Sequence, residues 1–404
     1  VAHAVVNTTL YSLLLPPWEG FDEPFHFAYV QHAANTAALP DTRTARLSEE
    51  VYRSLELAPA SHVVRQNLPF VTTYSEYFAR SLEERRKTRD LLDSIPPTLR
   101  WAASAQENYE AHHAPLAYFL LAAPERLLSG APLRFRLAVL RILAGLAGSL
   151  LLFAATIRLA RLLGVAETYG AAAVFCVLAS QMTWATIAHV ANDWLAVPLA
   201  VWMLALTIEY HERPGLRRAA LAAFLLSLGL LTKAYFLAFI PVVFGVIAHR
   251  RRASHLLLSV SLCLAVAGPW YLRNYVLYGL ISGMQETRTR YEVTDMAVAA
   301  LTMDWWAILR SAVHDTLWTG NNLFSTFSVT TLNITVALIC VGLLLPLTEP
   351  ASRPCAPFAA TRHRAAEWIV LSYTGVFVLA LIYRSVIIYL NTRVHGAAPA
   401  PWFA

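Results

Sequence analysis

The chain has 404 residues, is 57% hydrophobic and only 14% charged, and carries a formal net charge of +6. Soluble domains carry roughly 25% charged residues, and several apolar runs here approach the ~20 residues that cross a bilayer. The composition therefore argues against a soluble enzyme and for an all-α, polytopic membrane protein. The positive balance fits cytoplasmic anchoring better than nucleic-acid binding. The cysteines Cys176, Cys263, Cys340 and Cys355 form no CxxC pair and read as small hydrophobes.

Apolar runs predict about nine spans, at 1–16, 135–160, 169–189, 193–210, 219–232, 235–249, 255–272, 329–348 and 367–390. Arginines cluster in alternate short connections: Arg158 and Arg161; Arg213, Arg217 and Arg218; Arg250, Arg251 and Arg252; Arg353, Arg362 and Arg364. The positive-inside rule makes those connections cytoplasmic. The others then face out: 17–134, Ala191–Asp193, the turn around Lys233, and 273–328. This predicts a multi-pass protein of the inner (plasma) membrane. A first module over 1–285 includes the long extracytoplasmic loop 17–134, and 286–404 holds a second outer loop and the last spans. The chain opens in mid-run at Val1 and ends at Pro401-Trp402-Phe403-Ala404, so both ends read as clipped.

Loop 17–134 contains "SLEERRKTRDLLDS", which reads as a solvated helix. It also contains "NYEAHHAPLAYFLLAAPERLL", too short to span and expected along the membrane surface. The second loop is aromatic-rich, with Trp305, Trp306 and Trp318, and carries Arg288, Arg290 and Arg310.

The chemistry-bearing residues face the same side. "PPWEGFDEPFHFAYV", residues 16–30, places Asp22 and Glu23 where the chain leaves its first apolar run, with His26 close if the following segment is helical. A solvated loop start explains acids there. A carboxylate pair also suits general-base work on a hydroxyl, the second acid orienting the first or holding a divalent ion. Lys233 sits at the tip of a hairpin whose arms are about 15 residues, or roughly 22 Å, against ~30 Å of hydrocarbon. A lysine at that depth calls for an anion such as a lipid phosphate, or else snorkels to the interface. Asn192 and Asp193 form the neighbouring outward tip, where helix capping would also account for them. Arg273, in "GPWYLRNYVLYG", lies outside despite its charge, and its fork suits phosphate. In "YEAHHAP", Glu110, His112 and His113 are a weak metal set, because adjacent helical residues point about 100° apart. His113 as a contact to phosphate or sugar is the better reading. The sequence contains no glycine-rich phosphate loop, HExxH or GxSxG motif.

Five motifs in order, "FDEPFH", "HHAPLAY", "HVANDW", "GLLTKAYF" and "GPWYLRNYVLYG", resemble the GT-C superfamily of polyprenol-dependent membrane glycosyltransferases, which includes protein O-mannosyltransferases and lipid A aminoarabinose transferases. The resemblance covers roughly residues 1–285 and departs at Ala114, where the family often has proline. It implies transfer of a sugar from a polyprenyl-phosphate donor to an acceptor hydroxyl on a glycan, lipid or protein, on the extracytoplasmic face. Asp22 would be the general base, and Glu23 would support it or help bind a metal. Lys233, Arg273 and His113 would hold the leaving lipid phosphate, with His26, His112, Asn192 and Asp193 in support. A divalent ion, Mg2+ or Mn2+, is left open by the resemblance. Two other functions compete: a lipid-linked oligosaccharide flippase, which would want charges near the bilayer midplane, and a surface-polysaccharide ligase or polymerase, which would want more outward arginines.

Overall fold

The computed structural model describes residues 1–61, 64–65, 68–165, 167–282, 291–317, 327–344 and 357–394. Arg288, Arg290, Trp318, Arg353, Cys355 and the side chain of Arg362 lie outside the described residues.

Helix α1 (Ala2–Leu14) is followed by Pro16 and Pro17, which cannot donate to a helix backbone. The chain then turns through Trp18 at φ 65°, in the left-handed region that bulky side chains avoid. Tertiary bonds hold that conformation. The buried Trp18 indole donates to Ser54 Oγ at 2.9 Å, and its carbonyl accepts the Tyr74 hydroxyl at 2.9 Å. Helix α2 (Glu23–Thr36) starts directly after this corner, with Pro24 in its first turn, where a missing N–H is tolerated.

Residues 17–134 form a packed unit. It comprises α2, β1 (Arg46–Ser48), α3 (Glu49–Leu57), α4 (Tyr74–Ala79), α5 (Leu82–Asp93), β2 (Ala103–Glu107) and α6 (Leu116–Leu127). The two strands pair antiparallel, Arg46 opposite Glu107. Capping boxes start α4 and α5, through Thr73 with Glu76 and Ser81 with Glu84. A buried charge network fastens the unit to α7 (Leu133–Leu162). Arg136 pairs with Glu50 and Glu125, Arg100 lies 3.3 Å from Glu125, and Gln31 donates to Glu50 at 2.7 Å. Buried charges are costly unless paired, so this network specifies which helices meet.

Helices α8 (Glu167–Ala179), α9 (Gln181–Ile187), α10 (Asp193–Glu212), α11 (Leu216–Leu230), α12 (Ile240–His249), α13 (Ala253–Val266), α14 (Gly268–Tyr278), α15 (Val293–Thr302), α16 (Trp305–Leu317), α17 (Val329–Leu344) and α18 (Pro357–Val394) complete the described chain. Three helices are long and apolar enough to cross a membrane: α7, α10 and the 364–391 part of α18. The pairs α8/α9, α13/α14 and α15/α16, bent by 66°, 52° and 74°, raise the number to at most six among the described residues. This corrects the expectation of about nine. The 13-residue α1 and 15-residue α11 are too short by themselves, and Pro269 in the first turn of α14 breaks the 255–272 run. In the stretch expected as a second outer loop, the described residues 291–317 form the bent α15/α16 pair.

Alternation of the arginine groups is matched in the packing. Glu209 on α10 accepts both Arg158 and Arg218, and Arg250 donates to the His211 carbonyl, so three of the groups gather at one end of the helices. Close approach of α1 and α10 to α7 rests on small residues. A Cβ on Gly145 would meet Thr8 Cγ2 at 2.6 Å, and one on Gly148 would meet the Trp194 carbonyl at 2.7 Å.

Candidate active site

Asp22 and Glu23 are neighbours in sequence but go separate ways. Successive residues at a helix start point about 100° apart. Glu23, 1% exposed, is clamped by Arg141 of α7, which donates Nε to its Oε1 at 2.8 Å and Nη2 to its other oxygen. Its Oε1 also accepts the Val190 N–H at 2.9 Å. Glu23 thus ties the α2 corner to α7 and to the turn before α10. Glu19 takes a parallel role, accepting from His189 at 2.7 Å, while a Cβ on Gly20 would meet the His189 ring at 2.8 Å.

Asp22 occupies the N-cap position of α2 but its side chain does not cap it. It stays 28% exposed, with Oδ1 3.1 Å from His26 Nε2 one turn on. Glu110 is its close acidic neighbour, each carboxyl shifting the other's titration. The carboxylate pair is therefore Asp22 with Glu110, not Asp22 with Glu23. Asn108 sets Glu110 in place by accepting its N–H at 3.1 Å and donating to the Phe25 carbonyl at 3.1 Å. Glu110 Oε2 lies 2.5 Å from His113 Nε2 and 3.8 Å from His26 Nδ1. His26 Nδ1 bonds the Tyr118 hydroxyl at 2.7 Å, and Tyr118 stacks on Tyr29 at 4.1 Å. Tyr29 donates to the His113 carbonyl at 3.2 Å.

The charge states follow from this packing. Burial would raise the Asp22 carboxyl, but the His26 imidazolium outweighs burial and holds it well below the usual carboxylate range. Burial works against the charged His26 ring, yet Asp22 and then Glu110 lift it to about 9. Burial, reinforced by the charge on Asp22, raises Glu110 to about 7. Burial, with His26 and Lys233 as nearby cations, lowers His113 to about 3. At neutral pH the cluster holds an Asp22 anion and a His26 cation, with Glu110 near its midpoint beside a neutral His113. Such dyads split two like acids into one low and one high titration.

The turns at Asn192–Asp193 and at Lys233, both expected to face out, meet. Lys233 Nζ donates to Asp193 Oδ1 at 2.6 Å, and Asn192 Nδ2 donates to the Thr232 carbonyl at 3.3 Å. Neither Asn192 nor Asp193 caps α10 through its side chain, so capping does not account for them. The Lys233 ammonium stands 5.5 Å from the Tyr235 ring centroid, and Arg384 of α18 stands 5.4 Å from the same ring. Asp22, Glu23, His189 and Asp193 line one cavity of about 200 Å³.

Of the expected site residues, only Asp22, Glu23 and Asp193 line that cavity; His26, His112, His113, Asn192, Lys233 and Arg273 do not. Arg273 donates to the Pro40 carbonyl at 3.0 Å and packs on Trp270 at 5.5 Å, with Nη1 buried and without a hydrogen-bond partner. His112 is turned to the Tyr109 carbonyl at 2.5 Å, its ring 4.3 Å from that of His113. His26, Glu110 and His113 bring one ligand atom each within 4.8 Å of one another. A divalent ion there would compete with Tyr118 and Asp22 for both nitrogens of His26, which leaves Glu110 and His113 as a remnant pair. Glu23, spent on Arg141, is not a member of the set.

Sequence reasoning missed Glu110 as the partner acid, together with Tyr118, Arg141, Glu19 and Arg384. Signals existed for three of them. Tyr118 ends "HHAPLAY", and Arg141 and Arg384 are charges inside apolar helices, where a partner or function is expected. Comparisons of the chain with protein-family models, curated proteins and solved structures gave no match.

Proposed function

We propose that this chain is a GT-C-like glycosyltransferase that moves a sugar from a polyprenyl-phosphate donor to an acceptor hydroxyl at the outer face of the inner membrane. The observation that carries the reading is the Asp22–Glu110 carboxylate dyad beside the Lys233–Asp193 ion pair, with Asp22 and Asp193 lining one cavity. A cavity of about 200 Å³ is below the 300–1,000 Å³ typical of drug-sized ligands. It suits a single sugar unit better than an oligosaccharide, which favours transfer over polysaccharide ligation.

In this reading the acceptor hydroxyl approaches Asp22. Asp22 takes its proton as the new glycosidic bond forms, and the neighbouring Glu110, titrating near 7, retains it. The lipid phosphate leaves as an anion, and the Lys233 ammonium, aided by Arg384, stabilises it without a proton donor. His26 keeps Asp22 ionised and oriented. The outward orientation rests on the arginine alternation.

The test is release of polyprenyl phosphate from a panel of polyprenyl-phosphate sugars by membranes containing the full chain. The expected result is acceptor-dependent release that falls roughly 10²–10⁴-fold in Asp22→Asn. Release that is unchanged in Asp22→Asn overturns the assignment. Movement of intact lipid-linked sugar across proteoliposomes, with no bond cleavage, puts the flippase reading in its place.

A further inference from the structure

A second cavity, of about 1290 Å³, is larger than the one lined by Asp22. It lies between the end of α1, the start of α7 and the helix α5. Its wall is apolar and outward-facing: Leu13 is 59% exposed, Leu14 72% and Phe135 54%. Its opposite side is α5, a broad face of which lines the cavity at positions 82, 83, 85, 86, 88, 89, 92 and 93. That face carries Arg85, Arg86 and Arg89, whereas Lys87 points away. The segment 81–94 is exposed at most positions, as expected of a solvated helix, with Leu92 its buried residue.

Besides Leu82 and Leu92, this helix turns three guanidinium groups to the apolar wall. Arg134 is neutralised by Asp93 at 2.6 Å, and Glu83 is the remaining acid at the rim. Arg86 and Arg89 form no ion pair among the described residues, and Arg85 stacks its guanidinium 5.4 Å from the Phe78 ring centroid, with Nε buried and without a hydrogen-bond partner. An anionic head beside an apolar tail satisfies both sides.

We infer that this cleft binds one membrane phospholipid whose headgroup is net anionic, its head on Arg85, Arg86 and Arg89 and its chains along α1 and α7. The inference does not depend on the transferase reading. The cleft is separated from the smaller cavity by the Arg141–Glu23 pair, since Arg141 lines one space and Glu23 the other.

The experiment uses the full chain in detergent, titrated with phosphatidylglycerol or phosphatidylcholine and read by native mass spectrometry. Phosphatidylglycerol is expected to bind, and the Arg85→Gln/Arg86→Gln/Arg89→Gln variant to lose roughly a hundredfold in affinity, about fivefold per arginine. Arg89→Gln alone, at an exposed position, should lose about fivefold and covers the case where the triple variant does not fold. Lys87→Gln, the same charge change on the other face, should leave binding unchanged. Equal binding of the two lipids, or equal losses in Lys87→Gln and Arg89→Gln, overturns the inference. Competition by inorganic phosphate at the same concentration as the lipid also overturns it, because the apolar wall would then contribute nothing.

Discussion

Replacing Glu23 with Gln removes one carboxylate from a place where it satisfies three donors: Nε and Nη2 of Arg141 and the Val190 N–H. Arg141, with its side chain 2% exposed, would then keep the Leu15 carbonyl at 3.4 Å, the Pro16 carbonyl at 3.1 Å and one neutral amide oxygen, with Glu19 as a nearby charge but no paired carboxylate. Breaking a buried pair on one side costs about 3–5 kcal/mol. Asp22→Asn is different in kind. Asp22 is 28% exposed, and His26 can lose its proton when the partner charge goes, so the stability cost is about 1–2 kcal/mol. Thermal unfolding of the purified variants, with polyprenyl-phosphate release measured alongside, separates the two neighbours. Glu23→Gln should unfold well below Asp22→Asn, and Asp22→Asn should be the folded but inactive protein. The double variant Glu23→Gln/Arg141→Met should recover part of the stability, because no uncompensated charge remains. A stable, inactive Glu23→Gln beside an active Asp22→Asn would reverse the assignment of the two acids.

Further outcomes follow from the same geometry. His26 is lifted from 6.5 to about 9, so its ion pair contributes fully below pH 6.5 and is lost as pH rises through about 9. That amounts to on the order of 3 kcal/mol, and His26→Gln should flatten the loss of stability between those pH values. Transfer activity should rise with pH through about 7 as Glu110 becomes able to accept a proton, and Glu110→Gln should lower the rate and abolish that limb. Gly229→Ala would drive a Cβ into the Phe236 ring beside the Lys233 turn. It should destabilise by about 1–3 kcal/mol, with partial rescue by Phe236→Leu in the same unfolding assay. Chelation by EDTA should leave activity unchanged, because Tyr118 and Asp22 already engage both nitrogens of His26. A fall reversed by Mn2+ or Mg2+ would assign a metal to the Glu110–His113 pair.

The sequence by itself determined the apolar helical character, the alternation of arginines and the residues where chemistry could sit. These are local or statistical properties: hydrophobic length, charge placement and motif order are all properties of the primary chain. It also brought Asp22, His26, His113, Asp193 and Lys233 into consideration together, and they do gather. Tertiary structure decided what each acid does. Glu23 could not be told from Asp22 by sequence, because the difference lies in Arg141, 118 residues further along the chain, which claims one carboxylate and leaves the other to the cavity. Glu110 became the partner acid only because the Asn108 turn and α6 pack against α2. The span number is lower among the described residues because α1, α11, the 234–249 stretch with α12, and α17 are each too short to cross by themselves. The charged face of α5 acquired meaning only once α1 and α7 stood opposite it. Burial and pairing of charges depend on contacts between distant segments, and those are fixed by packing, not by the local pattern.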